Sequence, residues 1–242
     1  MTPPQSTSKD YAPIWTMALE ALGSERQNEI VSAMTRREFS ARRLIVHQGE
    51  QRTSLHVVES GSVRLFYTSL MGHEFTTKVT GKGGVVGIVA AVSGIPPAYS
   101  AQSLEPVVVR TLSAATLLTF MENIPRFAVN ISRILAKLYD GGLQRNARII
   151  DSVDIRLIKV LYELAIMGSD GCRPVSASIR GVTQSDLATM VGASRPWVSL
   201  TLTGLEKRGL LVKQRGVIVI PDIAALGCLS AGLFKSSAPP QA

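Results

Sequence analysis

At Pro125 the hydrophobic period of the chain changes, and the change divides the sequence into stretches that must fold differently. Between about residues 40 and 113, short runs rich in β-branched and aromatic residues alternate with Gly49, Gly61, Gly72, Gly81, Gly83 and Gly84. The runs are Arg43–His47, Leu55–Glu59, Val63–Tyr67, Phe75–Val79 and Val107–Leu112. Regularly spaced short strands with turn glycines predict a small antiparallel barrel or sandwich. From Pro125 the apolar residues recur instead at helical spacing: Phe127, Ile131, Ile134, Leu135 and Leu138, then Leu143, Ala147 and Ile150 beyond Gly141 and Gly142. An apolar stripe that runs many turns past a small barrel needs cover. Its own barrel is one candidate; an identical helix across a two-fold axis is the one we expect.

The flanking segments read more simply. Residues 14–36 have Ile14, Met17, Ala18, Leu22, Ile30, Val31 and Met34 at helix-like spacing. Asp154–Met167 carries Leu157, Val160, Leu161, Leu164 and Ala165 on one side; Gly168 to Gly171 stops it, and 172–181 reads as a polar loop. The ends, 1–12 and 236–242, are rich in Pro, Ser and Ala and read as flexible tails.

The stretch from Val182 to Ile220 carries the densest set of local signals. Thr183 is placed to cap a short helix, with Asp186 three residues on completing an approximate capping box. Leu187, Met190 and Val191 form the inner face of that helix, and Gly192 supplies the left-handed residue that ends it. Ser194 caps a second helix with Arg195 and Pro196 in its first turn, where a proline forfeits no intrahelical bond, and Gly209 closes it. On this second helix Val198, Leu202 and Leu205 face inward, whereas Pro196, Leu200, Thr203 and Lys207 point the other way, flanked by Arg195 and Ser199. Two β-rich runs, Leu210–Lys213 and Val217–Ile220, follow as a hairpin through Gln214, Arg215 and Gly216. A capped helix, a glycine turn and a second helix with an apolar back and a free front make a helix-turn-helix, and the hairpin makes its wing.

Charge supports that reading. The chain has 26 Lys and Arg against 18 Asp and Glu, a net +8, which favours an anionic partner. Between Arg180 and Arg215 the bases are Arg180, Arg195, Lys207, Arg208, Lys213 and Arg215, opposed only by Asp186 and Glu206. Such a concentration is what a phosphate-binding footprint requires. The most apolar run, Val85–Ile95, is shorter than the ~20 residues a membrane span needs. No targeting signal is visible, so we expect a soluble, cytoplasmic chain with no membrane partner. Cys172 and Cys228 are too far apart in sequence to suggest a metal or cluster motif.

With these residues in view, the chain resembles the cyclic-AMP receptor protein/FNR (Crp/Fnr) family of bacterial regulators. The segment His47–Tyr67, HQGEQRTSLHVVESGSVRLFY, is similar to the family's barrel signature, and LATMVGASRPWVSLTLTGLEKRGLL to its helix-turn-helix. The resemblance implies an α+β fold: an N-terminal double-stranded β-helix (jelly-roll, cyclic-nucleotide-binding-like), a long dimerisation helix and a C-terminal winged helix-turn-helix. The expected domains are a sensor over 13–124, the dimerisation helix over 125–151 and the DNA-binding domain over 152–235. The implied partners are double-stranded DNA, a second copy of the chain on a palindromic operator, RNA polymerase if the protein activates, and a small-molecule effector. No enzymatic activity is implied.

Departures from the family pattern narrow the expectation. Its cyclic-nucleotide binders carry a Gly-Glu pair for the ribose, where this chain has Gly87-Ile88. Their Arg-Ser/Thr pair for the cyclic phosphate is replaced around Pro96, Pro97 and Ala98, and their purine-contacting hydroxyls fall near Gly141 and Gly142. A buried phosphodiester without a cation or donors carries a large cost, so cyclic AMP is not expected at this site. The expected pocket is Gly87, Ile88, Pro97, Ala98, Leu138, Gly141 and Gly142, taking an uncharged or apolar effector or none. Haem would need an axial ligand from His47, His56 or His73, yet a lone histidine near a strand is usually structural or solvated, so no cofactor is expected. The same scatter of histidines argues against a metal-dependent enzyme on the barrel.

For DNA, Arg195 matches the family's guanine- or phosphate-contacting arginine, whereas Pro196 and Leu200 stand in place of its Glu and second Arg. Leu200 cannot donate a hydrogen bond but could meet a thymine methyl. The expected DNA-contacting set is Thr183, Gln184, Ser194, Arg195, Pro196, Ser199, Leu200, Thr203, Lys207 and Arg215. The rival expectation is an effector-binding barrel that regulates a protein partner and carries a vestigial DNA-binding domain.

Overall fold

The computed structural model describes residues 14–51, 53–147, 151–167 and 174–230. Among these, 14–147 with Met167 form one compact unit, and 151–166 with 174–230 form a second. The tails at 1–12 and 236–242, Ile150, the Gly168–Gly171 stop and Cys172 lie outside the described residues.

Two four-stranded antiparallel sheets build the first unit. One has the order β1-β8-β3-β6, from Thr35–Phe39, Val107–Ser113, Ser54–Ser60 and Val85–Val86. The other has the order β2-β7-β4-β5, from Leu44–Val46, Ser100–Ser103, Val63–Thr68 and Glu74–Thr80. Both sheets bury one face against a shared layer of Val46, Val58, Val63, Leu65, Val86, Ala101, Val107 and Val109. This is the small antiparallel two-sheet unit predicted from the glycine-punctuated strands, in the jelly-roll form that the family resemblance implies.

Alternation along a strand gives the first sheet a second buried face. In β3, Val58 points into the roll, whereas Leu55 and Val57 point to the helices outside it. Those helices are α1 (Ile14–Leu19), α2 (Ser24–Ser32), α3 (Ile88–Ser93), α4 (Ala114–Asn123) and α5 (Pro125–Ala147). They supply Ala18, Ile30, Ile88, Ala91, Leu117, Phe120, Phe127, Ile131 and Ile134 to one continuous core. Trp15 and Phe120 each meet Phe127 edge-on, at centroid distances of 6.4 and 6.5 Å. Phe127 is the centre of this core.

The N-terminal region corrects the sequence reading. Residues 14–36 are not one helix but α1, α2 and the start of β1. Ala21 takes a left-handed φ of 56° and ends the first helix. The freed carbonyls find side-chain donors: Asn130 Nδ2 donates to the Ala18 and Glu20 oxygens, and Gln27 Nε2 to those of Leu19 and Leu22. An intact helix would have used these groups itself, so the break depends on Gln27 nearby and on Asn130, more than a hundred residues away.

Helix α5 runs through Gly141 and Gly142. Its apolar stripe is buried at Phe127, Ile131 and Ile134 and half-buried at Leu135 and Leu138. Farther along, Tyr139 and Leu143 are exposed, at 71% and 50%. The stripe therefore outlasts the core of its own unit.

In the second unit α6 (Val153–Ile166) buries Leu157, Ile158, Leu161, Leu164 and Ala165. It is joined by α7 (Gln184–Val191), α8 (Arg195–Lys207), α9 (Ile223–Ser230) and a three-stranded sheet of order β10-β11-β9. Strands β10 (Val212–Gln214) and β11 (Val217–Ile220) are the expected hairpin. Strand β9 (Ala177–Arg180) is a further correction, because it lies inside the segment read as a polar loop. Its short sequence, only half of it apolar, becomes a strand by pairing with β11, which no local signal announces.

Candidate nucleic-acid interface

The turn between α7 and α8 forms as its residues dictate. The Thr183 hydroxyl accepts the Asp186 N–H at 3.1 Å, and the Asp186 carboxylate accepts the Thr183 N–H at 2.8 Å and its hydroxyl at 2.7 Å. The capping box is complete, and it commits both Thr183 and the buried Asp186 to holding the helix start. Gly192 then takes a φ of 65°, which turns the chain away from α7 and lets the Ala193 N–H reach the Ala188 carbonyl. Leu187, Ala188 and Val191 are buried, and Met190, expected on the inner face, is half-buried.

Helix α8 starts at Ser194, whose hydroxyl accepts the Trp197 N–H. At its far end the Arg208 N–H bonds the Gly204 carbonyl, the Gly209 N–H that of Glu206 and the Leu210 N–H that of Leu205, which satisfies three of the last-turn acceptors. Val198, Leu202 and Leu205 are 0, 1 and 3% exposed, so the predicted apolar back is the real one. The opposite side presents Arg195, Pro196 and Lys207, with Leu200 at 73% exposure in its middle. Gln184, Trp197, Ser199 and Thr203 are half-buried at its margins. The Thr201 hydroxyl ties the helix to Asp154 of α6 at 3.0 Å.

Electrostatics on this face follow from where the acids go. Asp186 is consumed by the capping box. Glu206 accepts the Lys213 N–H at 2.8 Å and the Lys213 ammonium at 3.0 Å, and these bonds hold its carboxyl below the usual range. Among the described residues Arg180, Arg195, Lys207, Arg208 and Arg215 have no ion-pair partner. A basic surface whose local acids are already engaged within the protein suits a polyanion. Arg215 occupies the wing turn beside Gly216 and is exposed.

The sequence-predicted effector residues fall in three places. Gly87 lies at the start of α3 with a φ of 80°, and a Cβ there would come within 2.2 Å of the Ser54 carbonyl oxygen, so only glycine fits. Its N–H donates to the Tyr99 hydroxyl at 3.1 Å. Ile88 and Leu138 belong to the helix-side core, not to the layer inside the roll. Pro97 is buried with its carbonyl accepting the Gly49 N–H, Ala98 beside it is exposed, and Gly141 and Gly142 are half-buried on α5.

Sequence reasoning did not single out Tyr99, because the contact joins residues twelve apart, across α3 and the loop after it. Burial pushes the Tyr99 hydroxyl up from its ordinary pKa, so it meets Gly87 as a neutral phenol. The three histidines are scattered. His47 and His73 are exposed, and His56 is buried with Nδ1 at 3.0 Å from the Thr111 hydroxyl.

A two-sheet roll followed by a winged helix-turn-helix with an unpaired basic front defines a class: DNA-binding transcription regulators that carry a ligand-type barrel on the same chain. Comparison with known proteins gives the same answer. Residues 36–124 match the cyclic nucleotide-binding domain, and residues 155–229 match the Crp-like helix-turn-helix domain. The chain is 27% identical over 213 residues to the cyclic AMP receptor protein of Thermus thermophilus, across 88% of this chain and 95% of that protein. It is 24% identical over 188 residues to the fumarate and nitrate reduction regulatory protein of Salmonella typhimurium, across 75% of this chain and 73% of that one. The fold is also that of FixK2 from Bradyrhizobium japonicum, with a TM-score of 0.68 at 18% identity over 85% of this chain and 99% of that one. The protein belongs to the Crp/Fnr family of transcription regulators. The α+β fold expected from the resemblance is the fold observed. Among the described residues no helix is long and apolar enough to cross a membrane.

Proposed function

We propose that the protein is a cytoplasmic, sequence-specific regulator that binds a palindromic operator as a homodimer and catalyses no reaction. The observation that carries this reading is Arg195: exposed, without an ion-pair partner, at the N-terminus of a helix whose back is sealed by Val198, Leu202 and Leu205. A guanidinium so placed reads a guanine edge through two parallel hydrogen bonds. Pro196 and Leu200 give an apolar surface beside it, so the operator differs from one read by polar residues at those positions. Ser194, Ser199, Lys207 and Arg215 position the phosphate backbone, with Gln184 at the margin. The hydroxyls of Thr183 and Thr203 are engaged within the protein, and both threonines act chiefly by shaping the surface.

Dimerisation is supported by α5, whose stripe continues to Tyr139 and Leu143 after its own core has ended. For the effector, Ile88 lies in the core and the Tyr99 hydroxyl takes the Gly87 N–H. Both support a barrel that does not take cyclic AMP in the manner its relative's name describes. An uncharged or apolar ligand, acting by favouring one arrangement of the dimer, fits these residues better. RNA polymerase is the further partner if the protein activates.

Selection of bound DNA from a random pool tests the reading. Two half-sites about one helical turn apart are expected. Affinity should fall steeply with salt, as released counterions require, and cyclic AMP should leave it unchanged. A monomeric site would overturn the dimer. No salt-dependent site at all would favour the rival, a barrel that regulates a protein partner.

A further inference from the structure

We infer that Lys213 is a positioning residue for DNA binding: it locks the wing onto the recognition helix, and so fixes where Arg215 reaches, without meeting the nucleic acid itself. The inference rests on the DNA-binding reading above. Lys213 is the middle residue of β10, the edge strand of its sheet. It is fastened to α8 at three points. Its N–H donates to Glu206 Oε1 at 2.8 Å, and its ammonium donates to Glu206 Oε2 at 3.0 Å and to Thr203 Oγ1 at 2.9 Å. Thr203 in turn donates to the Ser199 carbonyl at 2.9 Å. The chain of bonds therefore runs from wing to helix across successive turns of α8.

Three properties separate this lysine from the free bases around it. Both carboxylate oxygens of Glu206 are spent on it, so the pair is neutral within an otherwise basic surface. The side chains of Lys213 and Glu206 are only 30 and 33% exposed, against the open positions of Arg195 and Arg215. The backbone bond is set by register, because an edge-strand amide facing away from β11 must find its acceptor elsewhere. Arg215 lies two residues beyond this anchor, roughly 7 Å along an extended chain. A small tilt at Lys213 is therefore magnified at the tip that meets phosphate.

The test uses the full-length protein and the operator recovered from the random pool, with affinity measured over a range of salt. Glu206→Gln raises the net charge by one, so on electrostatics alone it should tighten binding. If Glu206 is the far half of a strut, the variant should instead weaken binding several-fold. Lys213→Met should weaken binding about tenfold and, because it misplaces Arg215, lower the salt slope by no more than Arg215→Ala does. Arg215→Ala should lower the slope by about 0.9, the amount for one lost phosphate contact. The double variant Lys213→Met with Arg215→Ala should bind no more weakly than the stronger single defect, because one acts through the other.

Lys213→Arg, which keeps a cation and donors, should restore most of the affinity. If Lys213→Met fails to fold, Glu206→Gln and Lys213→Arg still decide the matter. Tighter binding by Glu206→Gln, or a slope in the double variant lowered by about twice 0.9, would overturn the inference and make Lys213 a direct phosphate contact. Wild-type protein that binds no operator would overturn the underlying reading as well, which separates the two failures.

Discussion

The two units treat their charges in opposite ways. On the roll, Arg64 is nearly buried and fully engaged: it bonds Gln102 at 2.8 Å and Glu74 at 2.6 Å, and stands 4.2 Å over the Phe66 ring. Arg36 and Arg110 share Glu59. Around the recognition helix the acids are taken up first, by a capping box and by Lys213, and the bases are left open to solvent. A charge paired inside a unit serves that unit's own architecture. A charge left exposed beside a groove-sized helix serves a partner. The comparison teaches that the DNA-binding unit keeps bases free for a polyanion, whereas the roll spends Arg36, Arg64 and Arg110 on its own architecture.

If the contrast holds, changes on the roll should move stability and spare operator preference, and changes to the exposed basic side chains of α8 should do the reverse. The largest effect is expected from Phe127→Ala, which empties the centre of the helix-side core. It should cost about 3–5 kcal/mol of unfolding free energy in urea titration of the first unit's signal. A loss under about 1 kcal/mol would mean the core tolerates a cavity there.

Next in size is a pH effect. Burial, aided by Arg37, lowers His56 from an ordinary value of 6.5 to about 4. The native state therefore holds a neutral imidazole that the unfolded chain would protonate. Its stabilisation is complete above pH 6.5 and drains away as pH falls toward 4, by about 3 kcal/mol in all. His56→Gln should flatten that part of the stability–pH curve, and an unchanged curve would assign the acid sensitivity elsewhere.

Arg195→Ala should cost about 1–3 kcal/mol of discrimination at one base pair in each half-site while leaving the unfolding midpoint in place. A repeated selection that returns the original operator would remove Arg195 from base readout. The smallest effect sharpens the contrast most. Gly204 lies in α8, and a methyl added at its Cα would meet no neighbouring atom within 4 Å, so packing does not require glycine there. Gly204→Ala should stabilise the helix by about 1 kcal/mol, seen as a raised melting temperature. If the same variant also binds operator less tightly, the glycine is there for the approach of DNA.

Much of the candidate interface was legible in the sequence because its signals are local. A threonine three residues before an aspartate, a glycine after an apolar turn and a serine before Arg-Pro specify caps through bonds that span four residues or fewer. Val198, Leu202 and Leu205 follow from helical period alone. Strands β3, β4, β5 and β8 were legible for the same reason, through alternation and turn glycines. Strand β1 was not, because Thr35–Phe39 is mostly exposed and shows no alternation; it is a strand only because β8 accepts it. The break after α1 was hidden likewise, since the Asn130 amide that satisfies it lies more than a hundred residues away.

The sequence by itself therefore determined the order of parts, the caps of α7 and α8 and the apolar back of the recognition helix. These depend on near neighbours and on backbone preference. Only the tertiary structure decided which charges remain free, that Tyr99 meets Gly87, and that Lys213 joins the wing to Thr203 and Glu206. Those outcomes are set by hydrogen bonds between elements, whose partners are chosen by how sheets and helices come together and not by spacing along the chain.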